Sequence, residues 1–319
     1  MEISRSNILL CSLLHLLVDG LCVCCLYLIA SSFSEMHLVG IFLTYNILAF
    51  LTQPLTGLWT DCIKRRHWML LASVFLLTMA VLATSMVINF RLSTVGMMVV
   101  PILLGVGNSL FHVWGGKQVA VSTGNDMRAL GAFVSTGAFG LALGIVFFSW
   151  ALLYAVLLTI CVLSTAYVHL DLKAGVSAVN GQEMKCRFSR LFIWMSLLVL
   201  VLVVMSRSLV GETFSSGMAR TSSWVLLIGL LSMLGKMAGG WLAHHLGIVR
   251  MLALVVVLVI VCLMFRSQDM VLALLGLFAV NCTMPVTLYL ANVVLPKREG
   301  LAFGLLAAAL IPGYLLAYI

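Results

Sequence analysis

Ile8-Leu-Leu-Cys-Ser-Leu-Leu-His15-Leu-Leu-Val-Asp19-Gly-Leu-Cys-Val-Cys-Cys-Leu-Tyr-Leu-Ile29 is an apolar run long enough to cross a lipid bilayer. A membrane-spanning helix needs about 20 such residues. Similar runs recur along the chain, which is 63% hydrophobic and only 9% charged, whereas soluble domains carry about 25% charged residues. The runs are too long for the alternating strands of about 10 residues in a membrane barrel. The sequence therefore predicts an all-α, polytopic membrane helix bundle.

Eleven spans are predicted, in two groups. Six precede a polar stretch and five follow it, which divides the chain into an N-terminal six-helix bundle (1–170), a cytoplasmic linker (171–190) and a truncated C-terminal bundle (191–319). Repeated halves are typical of transporters whose bundles move about a central site, and by that logic a twelfth span is missing. The spans are predicted near residues 8–32, 38–60, 68–89, 95–122, 129–147, 150–170, 191–212, 222–243, 250–267, 270–294 and 300–319.

The lysines and arginines predict the orientation. With a cytoplasmic N-terminus, twelve of them fall in inner segments and three in outer segments, which is the asymmetry of inserted membrane proteins. This distribution explains the net charge of +8 without nucleic acid as a partner. We expect a multi-pass protein of the cell inner (plasma) membrane, with the lipid bilayer as its surroundings.

A short pattern occurs at equivalent inner span ends of the two halves. Gly57 is followed by Asp61 and then by Lys64, Arg65 and Arg66. In the second half, Gly240 is followed by His244 and then by Arg250. Charges at inner helix ends can pair across the bundles in one conformation and separate in another. The alternative is that the basic residues only orient the chain, but Asp61 favours a gate because acidic residues contribute little to orientation.

These residues resemble the signature G-x-x-x-D-(R/K)-x-G-R-(R/K) of the major facilitator superfamily. His15-Leu-Leu-Val-Asp19, Gln53-Pro-Leu-Thr-Gly57-Leu-Trp-Thr-Asp61, Phe111-His112 and Leu295-Pro-Lys-Arg-Glu-Gly300 resemble motifs of its fosmidomycin-resistance, drug-efflux branch. The resemblance implies a major facilitator fold and drug export. The sequence departs from the branch at Val113-Trp114, where a Pro-Glu pair is expected, and at His244, where an acidic residue is expected.

Asp19 is the strongest functional candidate. A carboxylate inside the bilayer costs about 2.5–3.5 kcal/mol on insertion scales, so it normally faces a bundle interior or water. His15 lies four residues earlier, on the same helical face. We predict that the pair carries a coupling proton; the alternative is a purely structural pair of hydrogen-bonded side chains.

Further polar residues are predicted to line a substrate pathway. Asn108 and His112 are also four residues apart, on the fourth span. Lys117 lies nearer the cytoplasm, where it holds an anionic substrate group or reaches the interface. Asn281 interrupts the tenth span, although a polar contact between helices would also explain it.

Two other cations lie in the second half. Arg207 is near the outer end of the seventh span, where solvation at the interface is the simpler explanation. Lys236 in the eighth span either pairs with a carboxylate across the bundle or lies near the inner surface.

Together these features predict a secondary active transporter, a proton-coupled antiporter that exports a small drug-like or anionic organic compound by alternating access. No nucleotide-binding motif, metal-site motif or cofactor motif is evident, so we predict no cofactor and no metal. We also expect the protein to be a monomer, and to be a transporter rather than an enzyme. Two alternatives remain: an incomplete homologue without transport activity, and a membrane-embedded enzyme using His15, Asp19 and His112.

Overall fold

The computed structural model describes residues 2–33, 38–63, 67–90, 94–167, 189–216, 218, 221–266 and 269–317. Its regular elements are helices, and these residues contain no strand. Ten of the helices are long and apolar enough to cross a membrane. The chain is therefore a multi-pass membrane protein, and the predicted all-α fold is confirmed.

The helix positions follow the apolar runs within a few residues. The sixth span, Ala151–Tyr167, has 17 residues and is shorter than the other ten. Residues 171–188 of the predicted linker lie outside the described part of the chain. The first to eleventh spans are Glu2–Ser32, Leu38–Cys62, His67–Phe90, Val99–Ser122, Met127–Val146, Ala151–Tyr167, Arg190–Ser215, Ser222–Leu246, Ile248–Phe265, Met270–Val294 and Glu299–Leu316, with short helical segments at Thr94–Met97 and Phe148–Trp150.

Three spans are interrupted shortly before a proline. The second contains a π-helical turn at Ile47–Leu51, just before Pro54. The tenth is broken between Asn281 and Met284, before Pro285. A proline lacks the N–H for the helical hydrogen bond, and its ring clashes with the carbonyl four residues earlier. The breaks are therefore local consequences of sequence; the eleventh span, broken at Ala309 before Pro312, follows the same rule.

The fifth span lies between the first and the eighth spans. A Cβ on Gly140 would overlap the backbone of Leu16, and one on Gly144 would overlap the backbone of Gly20. On the eighth span, a Cβ on Gly229 would overlap Ala142. Small residues let membrane helices approach closely, so the glycines of the fifth span bring its backbone against both neighbours.

The two groups of spans meet chiefly at two helix pairs. The second span packs against the eleventh, and the fifth against the eighth. At the first pair, Gly57 faces the Gly300 carbonyl with no room for a side chain. At the second, Gly240 lies equally close to the backbone of Met127. The division into two separately moving bundles stays a prediction.

The most buried spans are the first and the fourth. Their apolar side chains form the main core, which also takes in Val204 and Leu200 from the seventh span and Phe303 from the eleventh. The eighth and ninth spans are much more exposed and present large apolar side chains such as Leu254 outward. An exposed apolar exterior suits lipid contact, and the polar residues of the first and fourth spans are held inside it.

Candidate functional site

A buried polar cluster lies between the first, second, fourth and fifth spans. Asp19, His15 and His112 are each only 5% exposed. His15 Nε2 is 3.3 Å from Asp19 Oδ2, across one turn of the first span. His112 Nε2 lies 2.9 Å from Asp19 Oδ1, and Asn108 Nδ2 donates to the same oxygen at 3.0 Å. The two residue pairs predicted separately from i,i+4 spacing thus form one site.

The hydrogen bonds of His112 determine its tautomer. Gln53 Nε2 donates to the carbonyl of Ala49 at 2.7 Å, which fixes the orientation of the amide. The same Nε2 is 3.2 Å from His112 Nδ1, so Nδ1 accepts, and the proton of the neutral ring is on Nε2. His112 Nε2–H then donates to Asp19 Oδ1. Neutral His112 and ionised Asp19 therefore satisfy each other.

The hydrogen bonds of His15 lead to the opposite tautomer. Its Nδ1 is 2.8 Å from the carbonyl oxygen of Phe133, and a carbonyl only accepts. Nδ1 therefore carries the proton, and Nε2 of the neutral ring has a lone pair. That lone pair faces Asp19 Oδ2, another acceptor, so this contact becomes a hydrogen bond only when one proton is added. We call the space between His15 Nε2 and Asp19 Oδ2 the proton slot.

The backbone of the fifth span closes one side of the proton slot. A Cβ on Gly137 would overlap both Asp19 Oδ2 and His15 Nε2. The ring of Phe133, one turn earlier, stacks at a centroid distance of 4.6 Å on His15. Gly137 therefore packs directly against the proton slot, with no room for a side chain at that position.

His15, Asp19 and His112 also offer atoms of the kinds that bind metal ions, all within 4.8 Å of one another. Two imidazoles and a carboxylate suit a divalent transition metal in principle. The tautomer of His112 argues against this, because its Nε2 carries a proton as long as Gln53 donates to its Nδ1. Only two ligand atoms would be available without rearrangement, so the arrangement fits a proton better than a metal.

A second charged site joins the second, fourth and eleventh spans. Lys117 Nζ lies 2.5 Å from Asp61 Oδ1, and both side chains are almost fully buried. The backbone N–H groups of Gly300 and Leu301 each donate to the Asp61 carboxylate at 3.0 Å. These amides lie in the first turn of the eleventh span, where N–H groups have no partner within the helix. We call this arrangement the Asp61 contact. It places Lys117 with Asp61, away from the polar cluster.

The equivalent position of the second half has a different arrangement. His244 is exposed at the end of the eighth span, beside the start of the fifth span. There, Asp126 caps its own helix by accepting from the N–H of Arg128 at 2.8 Å. Hydrogen bonds from Arg128 hold the pKa of Asp126 below its usual value. The fifth span therefore needs no carboxylate from the eighth.

The remaining predicted residues lie apart from the polar cluster. Asn281 donates to the carbonyl of Leu277 in its own helix, and Arg250 is exposed near the start of the ninth span. Lys64, Arg65 and Arg66 lie outside the described residues. The roles predicted for all of these residues stay predictions.

Two features of the site were not predicted from the sequence. Gln53 was named only as part of a motif resemblance and was given no role in the site. Its position next to Pro54 in an apolar span could have indicated a buried polar side chain. Arg207 was expected at the solvated interface, but its side chain is buried, with only 8% of the residue exposed. Its Nη1 is buried without a hydrogen-bond partner. A periodicity count would have found it, because Leu200, Val204 and Arg207 share one helical stripe.

No protein-family model and no curated protein sequence matches the chain. Solved structures do match. The human organic anion transporter MFSD10 is 18% identical with a TM-score of 0.69, and the match covers 98% of this chain and 92% of that one. A bacterial homologue of the iron transporter ferroportin, in an outward-facing state, is 17% identical with a TM-score of 0.65, over 100% and 91% of the chains.

The Escherichia coli fucose:proton symporter FucP is 13% identical with a TM-score of 0.62, over 99% and 91% of the chains. FucP is a major facilitator superfamily transporter. The chain therefore has the major facilitator fold, as predicted. At such identities the likeness shows the fold, because one fold hosts many functions. None of these structures is of a fosmidomycin-resistance transporter, so that narrower resemblance stays a prediction.

Proposed function

We propose that the chain is a secondary active transporter, which moves a small organic compound across the membrane by alternating access and couples this movement to a proton bound at Asp19 and His15. The observation that carries the proposal is the proton slot. Two acceptor atoms, His15 Nε2 and Asp19 Oδ2, face each other at 3.3 Å in a buried site. One proton turns this unfavourable contact into a charge-assisted hydrogen bond.

The surroundings of the slot favour reversible binding of a single proton. Asp19 Oδ1 already accepts from Asn108 and His112, so only Oδ2 is available for protonation. His15 is fixed by the Phe133 carbonyl and cannot turn its other nitrogen to Asp19 without losing that bond. Of the structures with a similar fold, FucP is a fucose:proton symporter, which makes proton coupling a reasonable use of this fold.

The Asp61 contact supplies the gate in this proposal. It links the second and fourth spans to the start of the eleventh, so opening this end of the bundle breaks two hydrogen bonds and separates Asp61 from the eleventh span. The distribution of lysine and arginine favours a cytoplasmic location for this end. The conformation described here is then closed toward the cytoplasm.

The finer predictions from sequence belong to the same proposal. They are an inner (plasma) membrane location with a cytoplasmic N-terminus, export in exchange for protons, a drug-like substrate and a monomeric protein. The sign of the proton flux relative to the substrate flux tests the exchange directly, since an antiporter moves the two in opposite directions.

The test is substrate-dependent proton movement in proteoliposomes that contain the purified chain and an internal pH indicator. A panel of small organic compounds, neutral, cationic and anionic, is added outside. We expect at least one compound to drive proton movement, and we expect Asp19→Asn to abolish it, because an amide cannot take up the slot proton. The matched control is Asp269→Asn, which makes the same change at an exposed helix N-cap away from the slot and should leave proton movement unchanged.

The outcomes separate the alternatives. Proton movement that persists in Asp19→Asn would contradict the assigned role of the slot. Compound binding to the folded wild type without flux would favour a homologue that binds but does not transport. Chemical conversion of a compound without any dependence on a gradient would favour an enzyme.

A further inference from the structure

Two cations of the second half lie within spans without a counter-ion in contact in the described part of the chain: Arg207 is buried and Lys236 is half-buried. Arg207 is only 8% exposed, and its Nη1 has no hydrogen-bond partner. It continues the inward stripe of Leu200 and Val204, which pack into the main core. A guanidinium is always charged, and an isolated charge inside the membrane is costly. Hydrogen bonds within the described residues therefore do not explain why Arg207 is buried.

Lys236 lies on the face of the eighth span that is turned toward the first half. It shares this face with Gly229 and Gly240, which pack against the fifth span. Lys236 is fourteen residues from Ser222, or about 21 Å along the helix, and Asp19 is thirteen residues from Ser32, or about 20 Å. Measured from the same end of the bundle, the two residues are therefore at similar depth.

Lys236 lies within electrostatic range of both Arg207 and Asp19. Among the described residues, however, no ion pair within 4 Å includes Arg207 or Lys236, and Asp19 pairs with His15 and His112 instead. Lys117 and Asp61 neutralise each other. With both histidines neutral, Asp19 alone cannot balance both cations.

We propose that Arg207 and Lys236 form the binding subsite for the acidic group of the substrate, which is an organic monoanion of the carboxylate class. The fork of N–H donors on a guanidinium matches the two oxygens of a carboxylate, and the ammonium of Lys236 adds a second point of attraction. One bound anion supplies negative charge that Asp19 alone does not. This inference rests on the proposed transport function and names its substrate class.

The position of Arg207 also suggests the entry route. Arg207 is eight residues from Ser215, or about 12 Å from the end of the bundle opposite the Asp61 contact. Lys236 is deeper, measured from the same end. With the Asp61 contact closed, an anion entering from that opposite end meets Arg207 first and Lys236 second.

The experiment measures anion binding by the full chain in detergent or nanodiscs. The probes are aliphatic and aromatic monocarboxylates from acetate to naphthoate, each compared with its neutral amide by isothermal titration and thermal unfolding at constant ionic strength. We expect at least one carboxylate to bind saturably while its amide does not. Arg207→Gln and Lys236→Gln should each weaken binding by about 10- to 100-fold, the usual effect of losing one hydrogen bond to a charged group.

Controls separate a binding role from a structural one. Lys297→Gln removes an exposed cation and should leave affinity unchanged. Arg207→Lys should retain part of the affinity, because it keeps the charge and loses the fork. If Arg207→Gln fails to fold, Lys236→Gln alone decides the matter.

The results also separate this inference from the transport proposal. Absence of saturable binding by every carboxylate, or equal binding by the Gln variants, would overturn the anion subsite. Proton flux driven only by neutral or cationic compounds would do the same while leaving transport intact. Carboxylate binding that depends on Arg207 but produces no flux would instead support the subsite and contradict transport.

Discussion

Replacing Asp61 by asparagine should loosen the start of the eleventh span while leaving the rest of the bundle folded. In the wild type, the carboxylate accepts the N–H groups of Gly300 and Leu301 at 3.0 Å each and pairs with Lys117. Asparagine has nearly the same shape, but it offers one acceptor oxygen and no charge. The substitution therefore removes one charge-assisted hydrogen bond and the partner of a buried ammonium.

The size of the effect follows from these contacts. A hydrogen bond to a charged group contributes about 1.5–3 kcal/mol, and about 1.4 kcal/mol corresponds to a factor of ten in an equilibrium. The amides of Gly300 and Leu301 have no helical acceptor, so their protection from exchange depends on Asp61. We therefore expect their hydrogen exchange to accelerate by about 10- to 100-fold in Asp61→Asn.

The assay is hydrogen–deuterium exchange with mass spectrometry, resolved to the peptide that contains residues 299–302. Asp126→Asn is the matched control because it makes the same chemical change at another helix N-terminus. It should accelerate exchange at Arg128 and leave Gly300 and Leu301 unchanged. Unfolding could mimic the effect, so exchange in the first span must remain slow in both variants.

Unchanged exchange at Gly300 and Leu301 in a folded Asp61→Asn protein would refute this account of the Asp61 contact. A second variant, Asp61→Asn with Lys117→Met, removes the buried unpaired ammonium as well. If the double variant regains thermal stability but keeps the fast exchange, the two roles of Asp61, pairing with Lys117 and capping the eleventh span, are separable.

Two further predictions concern the proton slot. Gly137→Ala should abolish substrate-dependent proton movement in proteoliposomes, because its Cβ would overlap both acceptor atoms of the slot. The control is Gly40→Ala, where a Cβ meets no atom within 4 Å, and it should leave proton movement unchanged. Equal fluxes in the two variants would contradict the placement of the slot. His15→Gln should abolish the same proton movement, because a neutral amide N–H satisfies Asp19 without an added proton. His112→Gln should retain a measurable part of it, because an amide can replace the Nε2–H donor. The reverse order of activities would show that the two tautomers are wrongly assigned.

The fold was largely predictable because its main signal is local. Each span is a run of apolar residues whose length is set by the bilayer, and each internal break comes shortly before a proline. The i,i+4 pairs His15–Asp19 and Asn108–His112 were equally visible, since helical spacing alone places both members on one face.

The contacts between spans were not predictable in the same way. Nothing in either i,i+4 pair indicates that Asn108 and His112 meet Asp19, because that contact depends on how the first and fourth spans pack. Lys117 was expected to line the substrate pathway or reach the interface; the structure pairs it with Asp61, a residue 56 positions away. Arg207 was placed by its distance from the span end, which does not tell whether a side chain faces the interior.

The contacts at the two equivalent helix ends are related by spacing but differ in chemistry. Gly57 and Asp61 are four residues apart, as are Gly240 and His244, and both glycines permit close backbone contact. Only Asp61 reaches across to cap a helix of the other half, since the fifth span is capped by its own Asp126. The N-terminus of the fifth span is therefore capped without an acid at position 244. In the proposed alternating access, opening breaks the hydrogen bonds that the eleventh span donates to Asp61. The fifth and eighth spans instead slide along a contact between glycine backbones.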